Sequence, residues 1–319
     1  MTTPGTHIVA GTVVKVIDAN QVQIKYTKPD TKLIIMKTSK TAHKMKLNEV
    51  IDVVLTLNTP WSFLGISKKG VSLPLTTDKG LLLNLNLLQS GGGAWNVTKL
   101  KMMKSTITKF ENSTVLRCHY DINSGTSADP GVGGFSFVAV PVGMNTNALS
   151  LSWDVYYPAG FQFARGGKFG GISNGQGAAG GGNHSSTASS NRVMWQEGGG
   201  IIDYIYLPTD TPQIVPGLKS DGFGIGLFKN DFAQSLKTNA WNRITIGTKI
   251  NTVVGGVPQN NGETYVIVNG VKRSLKGINW SNSPDFKISN ISMGNFFGGP
   301  TPSPVEQFCY FKNIKVGKF

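Results

Sequence analysis

The segment Tyr265-Val-Ile-Val-Asn269-Gly270-Val-Lys-Arg273 sets alternating strand formers on both sides of an Asn-Gly pair. A two-residue type I′ turn needs positive φ at both central positions, and Asn-Gly meets that need at least cost, so the segment reads as a β-hairpin. Similar short runs of β-branched and aromatic residues recur along the chain between Gly, Pro, Asn and Asp, while helical periodicity is nearly absent. A chain patterned this way buries its apolar residues between sheets, and the fold class is all-β.

Two stretches are distinguished. Strand signals at 9–17, 22–26, 33–36 and 50–57, with turns at Asp18-Ala-Asn20 and Lys28-Pro-Asp30, describe a small barrel-like β-module over residues 1–90. The Gly91-Gly92-Gly93 run reads as a linker. Residues 95–319 then carry strand signals at 114–122, 135–142, 149–157, 191–196, 201–207, 241–250, 264–274, 286–293 and 308–316. Nine or so strands without helices specify a jelly roll or related antiparallel sandwich with one concave face.

Lys and Arg outnumber Asp and Glu by 31 to 17, a net charge of +14 that biases the surface toward polyanions. Residues 1–90 hold eleven lysines against five acidic residues. A basic barrel can bind single-stranded nucleic acid, but no aromatic platform accompanies it, so nucleic acid is the weaker partner expectation and attachment to carbohydrate fits as well. No run of 18 apolar residues is present, and no membrane partner is expected. The first residues lack the basic start and apolar run of a secretory signal. Cys118 and Cys309 form no metal-ligand cluster with histidines, so neither a metal nor a cofactor is expected; whether the two are bridged is open.

The chemistry concentrates between residues 165 and 206. Side chains at i and i+2 of a strand share a face, so Ser190 pairs with Arg192 and Tyr204 with Tyr206. Lys168 lies in Gly-Gly-Lys-Phe-Gly-Gly, read as a pliable loop, and the glycine-rich stretch up to Gly182 reads as a mobile flap. Eliminating across C4 and C5 of a polyuronate requires three things: a base for the C5 proton, neutralisation of the adjacent carboxylate, and a proton for the departing C4 oxygen. Arg192 suits the neutralisation through its bidentate fork, the tyrosines and Lys168 suit acid or base duty, and Ser190 suits orientation by hydrogen bonding. Hydrolysis would need paired carboxylates, and Asp154, Glu197 and Asp203 lack any diagnostic spacing. His119 and His184 belong to no nucleophile motif.

The stretches Leu151-Ser-Trp-Asp-Val-Tyr-Tyr-Pro-Ala-Gly-Phe161, Gly166 to Gly171, Ser190-Asn-Arg-Val-Met-Trp195 and Ile202-Asp-Tyr-Ile-Tyr-Leu-Pro208 resemble polysaccharide lyase family 14, as do Gly294-Asn-Phe-Phe-Gly298 and Cys309-Tyr-Phe-Lys-Asn313. The likeness covers residues 95–319 and is strongest to lyases of chlorella viruses, which degrade glucuronate polymers or alginate of algal walls. It implies a β-jelly roll, metal-independent elimination, a 4,5-unsaturated uronate product, and catalytic roles for Lys168, Ser190, Arg192, Tyr204 and Tyr206. It also implies a viral protein released by lysis or carried in the virion, acting on a host wall held by its N-terminal module. The alternative reading is a noncatalytic, lectin-like module that binds acidic glycans.

Overall fold

Strand alternation in the sequence becomes packed antiparallel sheets in the computed structural model, which describes residues 6–18, 21–26, 33–37, 50–56, 62–68, 80–125, 132–175, 180–218, 223–298 and 301–319, with side chains from residue 80 onward. The turn at Lys28-Pro-Asp30, most of Asp18-Ala-Asn20 and part of the glycine-rich flap lie outside the described residues. Strands β1 (Thr6–Asp18), β2 (Gln21–Tyr26), β3 (Leu33–Lys37), β4 (Val50–Thr56) and β5 (Ser62–Lys68) form an antiparallel sheet of order β3-β2-β1-β4-β5. The fifth strand, with Gly65 at a register shift in its pairing, was not anticipated from the sequence.

The remaining strands are β6 (Leu81–Leu82), β7 (Val97–Lys101), β8 (Thr106–Phe110), β9 (Ser113–Tyr120), β10 (Phe135–Ala139), β11 (Ala148–Tyr157), β12 (Gly166–Gly175), β13 (Ala188–Gln196) and β14 (Ile201–Tyr206). They continue with β15 (Ile225–Leu227), β16 (Ala240–Lys249), β17 (Val253–Val254), β18 (Val257–Pro258), β19 (Gly262–Val268), β20 (Val271–Ile278), β21 (Ile288–Phe297) and β22 (Gln307–Gly317). One sheet runs β15-β14-β13-β12-β21-β10-β7 and the other β20-β19-β16-β11-β22-β9-β8, with β6 added on β22. The two face each other as a jelly-roll sandwich. The anticipated hairpin is β19–β20, with Asn269 at φ 49° and Gly270 at φ 88°, as a type I′ turn requires.

Inward side chains of both sheets form one aromatic core. Trp153 meets Phe169 (ring centroids 5.6 Å), Phe169 meets Trp195 (5.2 Å), and Trp195 meets Phe297 (5.5 Å). Phe311 packs edge-on against Phe135 at 5.2 Å. Truncating a buried aromatic of this kind costs about 3–5 kcal/mol, so the sheet carrying the candidate residues rests on a stiff base. The Gly91–Gly93 run is not a linker. Its glycines, all at positive φ, turn the chain between short 3-10 helices whose Leu85, Leu88 and Trp95 are buried in this core. Leu81 and Leu82 likewise pair with β22, so the sandwich gathers chain from residue 81 onward.

Cys118 and Cys309 sit opposite each other in the β9–β22 register, as buried free thiols without a disulfide. Burial pushes the Cys309 thiol well above its ordinary pKa, consistent with an inert packing role.

Candidate active site

Alternation along β13 and β14 sorts the site. Asn191, Val193 and Trp195 point into the sandwich and are fully buried, whereas Arg192 and Met194 open outward. On β14, Asp203 and Ile205 face inward while Tyr204 and Tyr206 face out. The strand register sets Arg192 beside Tyr204 and Ser190 beside Tyr206. Lys168 occupies the third strand of the group, β12, opposite Met194. The loop expected around Lys168 is therefore a strand; its glycines hide it from a propensity reading while serving the packing. A Cβ on Gly171 would approach Arg192 Cγ to 2.7 Å, so glycine there lets the arginine lie across β12.

A bulge helps aim the lysine. Register shifts against both neighbours fall between Lys168 and Gly171, Phe169 points into the core, and Lys168 faces out. Asn295, fully buried on β21, donates from Nδ2 to the Lys168 carbonyl at 3.2 Å and holds this kink.

Together these strands line a cleft of about 900 Å³. Lys168, Arg192, Tyr204 and Tyr206 open into it, joined by Lys99, Lys101 and Arg165, and no carboxylate lies among the lining residues. Ser190 is covered, at 1% exposure, and does not line the cleft. Lys99 and Lys101 were missed in the sequence because the strand that carries them was not recognised, although their i, i+2 spacing was the available signal.

Lys168 Nζ donates to the weak acceptor Met194 Sδ at 3.2 Å and stands 5.4 Å from the Tyr204 ring centroid. Burial, reinforced by the Arg192 charge, lowers its pKa to about 8. Arg192 Cζ lies 5.7 Å from the Tyr206 ring centroid, and burial also lowers the arginine's pKa, against the pull of the two phenols. Tyr204 and Tyr206 meet edge to face at 5.6 Å. The Gly182 amide donates to the Tyr206 hydroxyl at 3.3 Å, and the Gly180 backbone packs on the guanidinium so closely that a Cβ would reach Arg192 Nη1 at 2.1 Å. His184, which belongs to no sequence motif, stands beside Tyr206 with ring centroids 5.5 Å apart.

The carboxylates fall elsewhere. Asp154 is gripped bidentately by Arg243 at 2.7 and 2.9 Å on the other sheet, and Glu197 sits at the exposed end of β13. Among the described residues no group of three His, Cys, Asp or Glu side chains converges as a metal site would.

Asp203 lies directly behind the tyrosines, accepting from Thr264 Oγ1 at 2.8 Å, and its burial raises its pKa to about 8. An unfolded aspartate ionises near pH 3.9, so the native state binds more protons between about pH 4 and 8, and stability is lost as pH climbs through that window. Asp203→Asn keeps the shape without the charge. Its stability gain is expected near zero at pH 4 and on the order of a few kcal/mol at pH 8. Denaturant unfolding of both proteins at the two pH values measures it; a gain independent of pH would contradict this account.

Comparison with known proteins gives the family of the chain. The Polysaccharide lyase 14 family model matches residues 108–314. Exolysin of Paramecium bursaria Chlorella virus 1 is 33% identical over 258 residues, covering 72% of this chain and 37% of exolysin, so the chain spans little more than a third of that relative. The crystal structure of alginate lyase vAL-1 from Chlorella virus superposes with a TM-score of 0.73 at 57% identity, over 75% of this chain and 98% of that one. The marine alginate lyase of Aplysia kurodai shares the fold, with a TM-score of 0.61 at 24% identity over 72% and 93% of the two chains. With the family model matching well over half of its length and a viral relative aligned over most of it, the chain belongs to polysaccharide lyase family 14.

Proposed function

We propose that this protein cleaves acidic polyuronate chains by β-elimination in the cleft of the seven-stranded sheet. The observation that carries the reading is the meeting of Lys168, Arg192, Tyr204 and Tyr206 in a cleft lined by five cationic side chains and no carboxylate. A repeating carboxylate polymer is the ligand complementary to such a surface. The related Chlorella virus enzyme is named an alginate lyase, which supports testing alginate beside glucuronan.

Arg192 neutralises the substrate carboxylate as charge grows on it during loss of the C5 proton. Lys168, with its pKa near 8 and no ion pair among the described residues, takes that proton as the free amine. Breakage of the C4–O bond completes the C4=C5 double bond, and a phenol, Tyr204 or Tyr206, gives its proton to the departing oxygen. Ser190, covered but on the same strand face as Arg192, is a positioning residue for Tyr206, its register partner. Residues ahead of 81 form a separate β-module that holds the enzyme on the wall of a host alga.

The test is continuous ultraviolet absorbance with glucuronan, polymannuronate and polyguluronate, from neutral to alkaline pH. Rising absorbance, from the conjugated unsaturated uronate, is expected and ranks the three polymers. A flat trace from folded protein that still binds them would replace the enzyme with an acidic-glycan-binding module.

A further inference from the structure

The outer face of the eight-stranded sheet, opposite the cleft, carries a second organised surface. Arg117 on β9, Tyr310 on β22, Tyr156 on β11 and Trp241 on β16 stand in one row across four neighbouring strands, each opposite the next in register. At about 4.8 Å per strand the row is about 14 Å long. Phe110 stacks on Tyr310 at 4.2 Å, and Phe308 joins the cluster with its centroid 5.4 Å from Tyr310. All of these side chains are half-buried, whereas the core aromatics behind them are closed off.

The cations on this row are held by rings. Arg117 Cζ lies 4.2 Å from the Phe308 centroid, and Lys312 Nζ lies 3.8 Å from that of Trp241. The carboxylates nearby are already engaged: Asp154 by Arg243 and by Asn313 Nδ2 at 2.6 Å, and Glu111 by the Trp241 indole N–H at 2.8 Å. Two positioned cations beside partly exposed ring edges match a ligand that alternates carboxylates with flat C–H faces. Packing of the sandwich core requires none of these outward groups.

We propose that this face is a second, noncatalytic binding site for a carboxylated polysaccharide, resting on the reading of the cleft as a polyuronate lyase for the identity of its ligand. One polymer engaged there stays near the enzyme while other segments enter the cleft. The local concentration of substrate rises without any change in the chemistry.

The test uses the full chain. Migration of an Arg192→Ala protein through gels containing polyglucuronate or polymannuronate is compared with that of Arg192→Ala carrying Arg117→Glu and Lys312→Glu. These reversals leave the aromatic packing in place and avoid an unfolded control. Apparent affinity is expected to fall about tenfold on reversal, and a Trp241→Ala variant of the same parent to fall by a similar factor. With Arg192 intact, the charge-reversed protein is expected to show a raised KM on long polymer and unchanged kcat/KM on a trisaccharide.

Equal retardation of parent and reversed proteins would overturn the proposal, as would equal retardation by a neutral glucan or retardation by single-stranded nucleic acid alone. So would a sedimentation mass that halves in the Trp241→Ala protein, since a second copy would then occupy the face. Ultraviolet absorbance with the unmodified protein reads the cleft separately. A flat trace with retained retardation refutes the lyase reading alone, and rising absorbance with no effect of charge reversal refutes the second site alone.

Discussion

The Arg192→Ala protein is expected to fold normally and to lose about 10² to 10³-fold in kcat/KM on polyuronates, because the growing carboxylate charge then has no bidentate partner in a partly buried cleft. The other cations that line the cleft, Lys99, Lys101, Arg165 and Lys168, are not expected to substitute, since only Arg192 and Arg165 carry a planar fork and only Arg192 sits beside Tyr204 in register. Arg192→Lys is expected to recover little, since an ammonium lacks the planar fork. Stability moves the other way. Burial lowers the pKa of Arg192, which means its charge is held at a cost to the folded state. Alanine at this position is therefore expected to leave the melting temperature unchanged or raise it. Ultraviolet turnover and thermal unfolding on the same preparation check both halves; full activity in a well-folded Arg192→Ala protein would falsify the assignment.

Replacing Lys168 gives the second large effect and separates its two possible duties. Lys168→Ala is expected to reduce elimination by about 10² to 10⁴-fold, the range of a lost general base. Lys168→Arg, permanently charged, is expected to be nearly as poor. In the parent, kcat/KM should rise with pH through a midpoint near 8 as the amine loses its proton, because burial and the Arg192 charge have brought its pKa to about that value. Removing the Arg192 charge should move any residual midpoint upward. An active Lys168→Arg enzyme with a flat profile would instead assign the lysine to charge neutralisation and the proton transfer to a tyrosine.

How much of this was legible depended on the range of the interaction involved. The β19–β20 hairpin was readable because turn and strands lie within nine residues. The sharing of a face by Ser190 with Arg192, and by Tyr204 with Tyr206, followed from period two alone. The strand around Lys168 was not readable, since glycine suits a strand poorly on its own and is required here by Arg192 lying across it. Gly91–Gly93 misled for the same reason: the run has a linker's composition, yet Leu85, Leu88 and Trp95 tie it into the core. His184, Lys99 and Lys101 carry no motif, and their places depend on partners distant in sequence; Asn295 lies in a family-like stretch, but its bond to Lys168 joins residues far apart in the chain. The outer row was invisible for the same cause, as Arg117 and Tyr310 are opposite in register yet nearly two hundred residues apart.

By itself the sequence determined the all-β class, the hairpin, the basic character and the faces shared along β13 and β14, all of which are local properties of alternation, turn chemistry and charge count. The family likeness rested on the order of short motifs. The tertiary structure alone decided which strands are neighbours, that five cations meet in one cleft, that Lys168 is poised near pH 8 and that Asp203 is shut behind the tyrosines. Strand pairing joins residues through contacts remote in the chain, and burial, which shifts both pKa values, exists only once the two sheets have closed on each other.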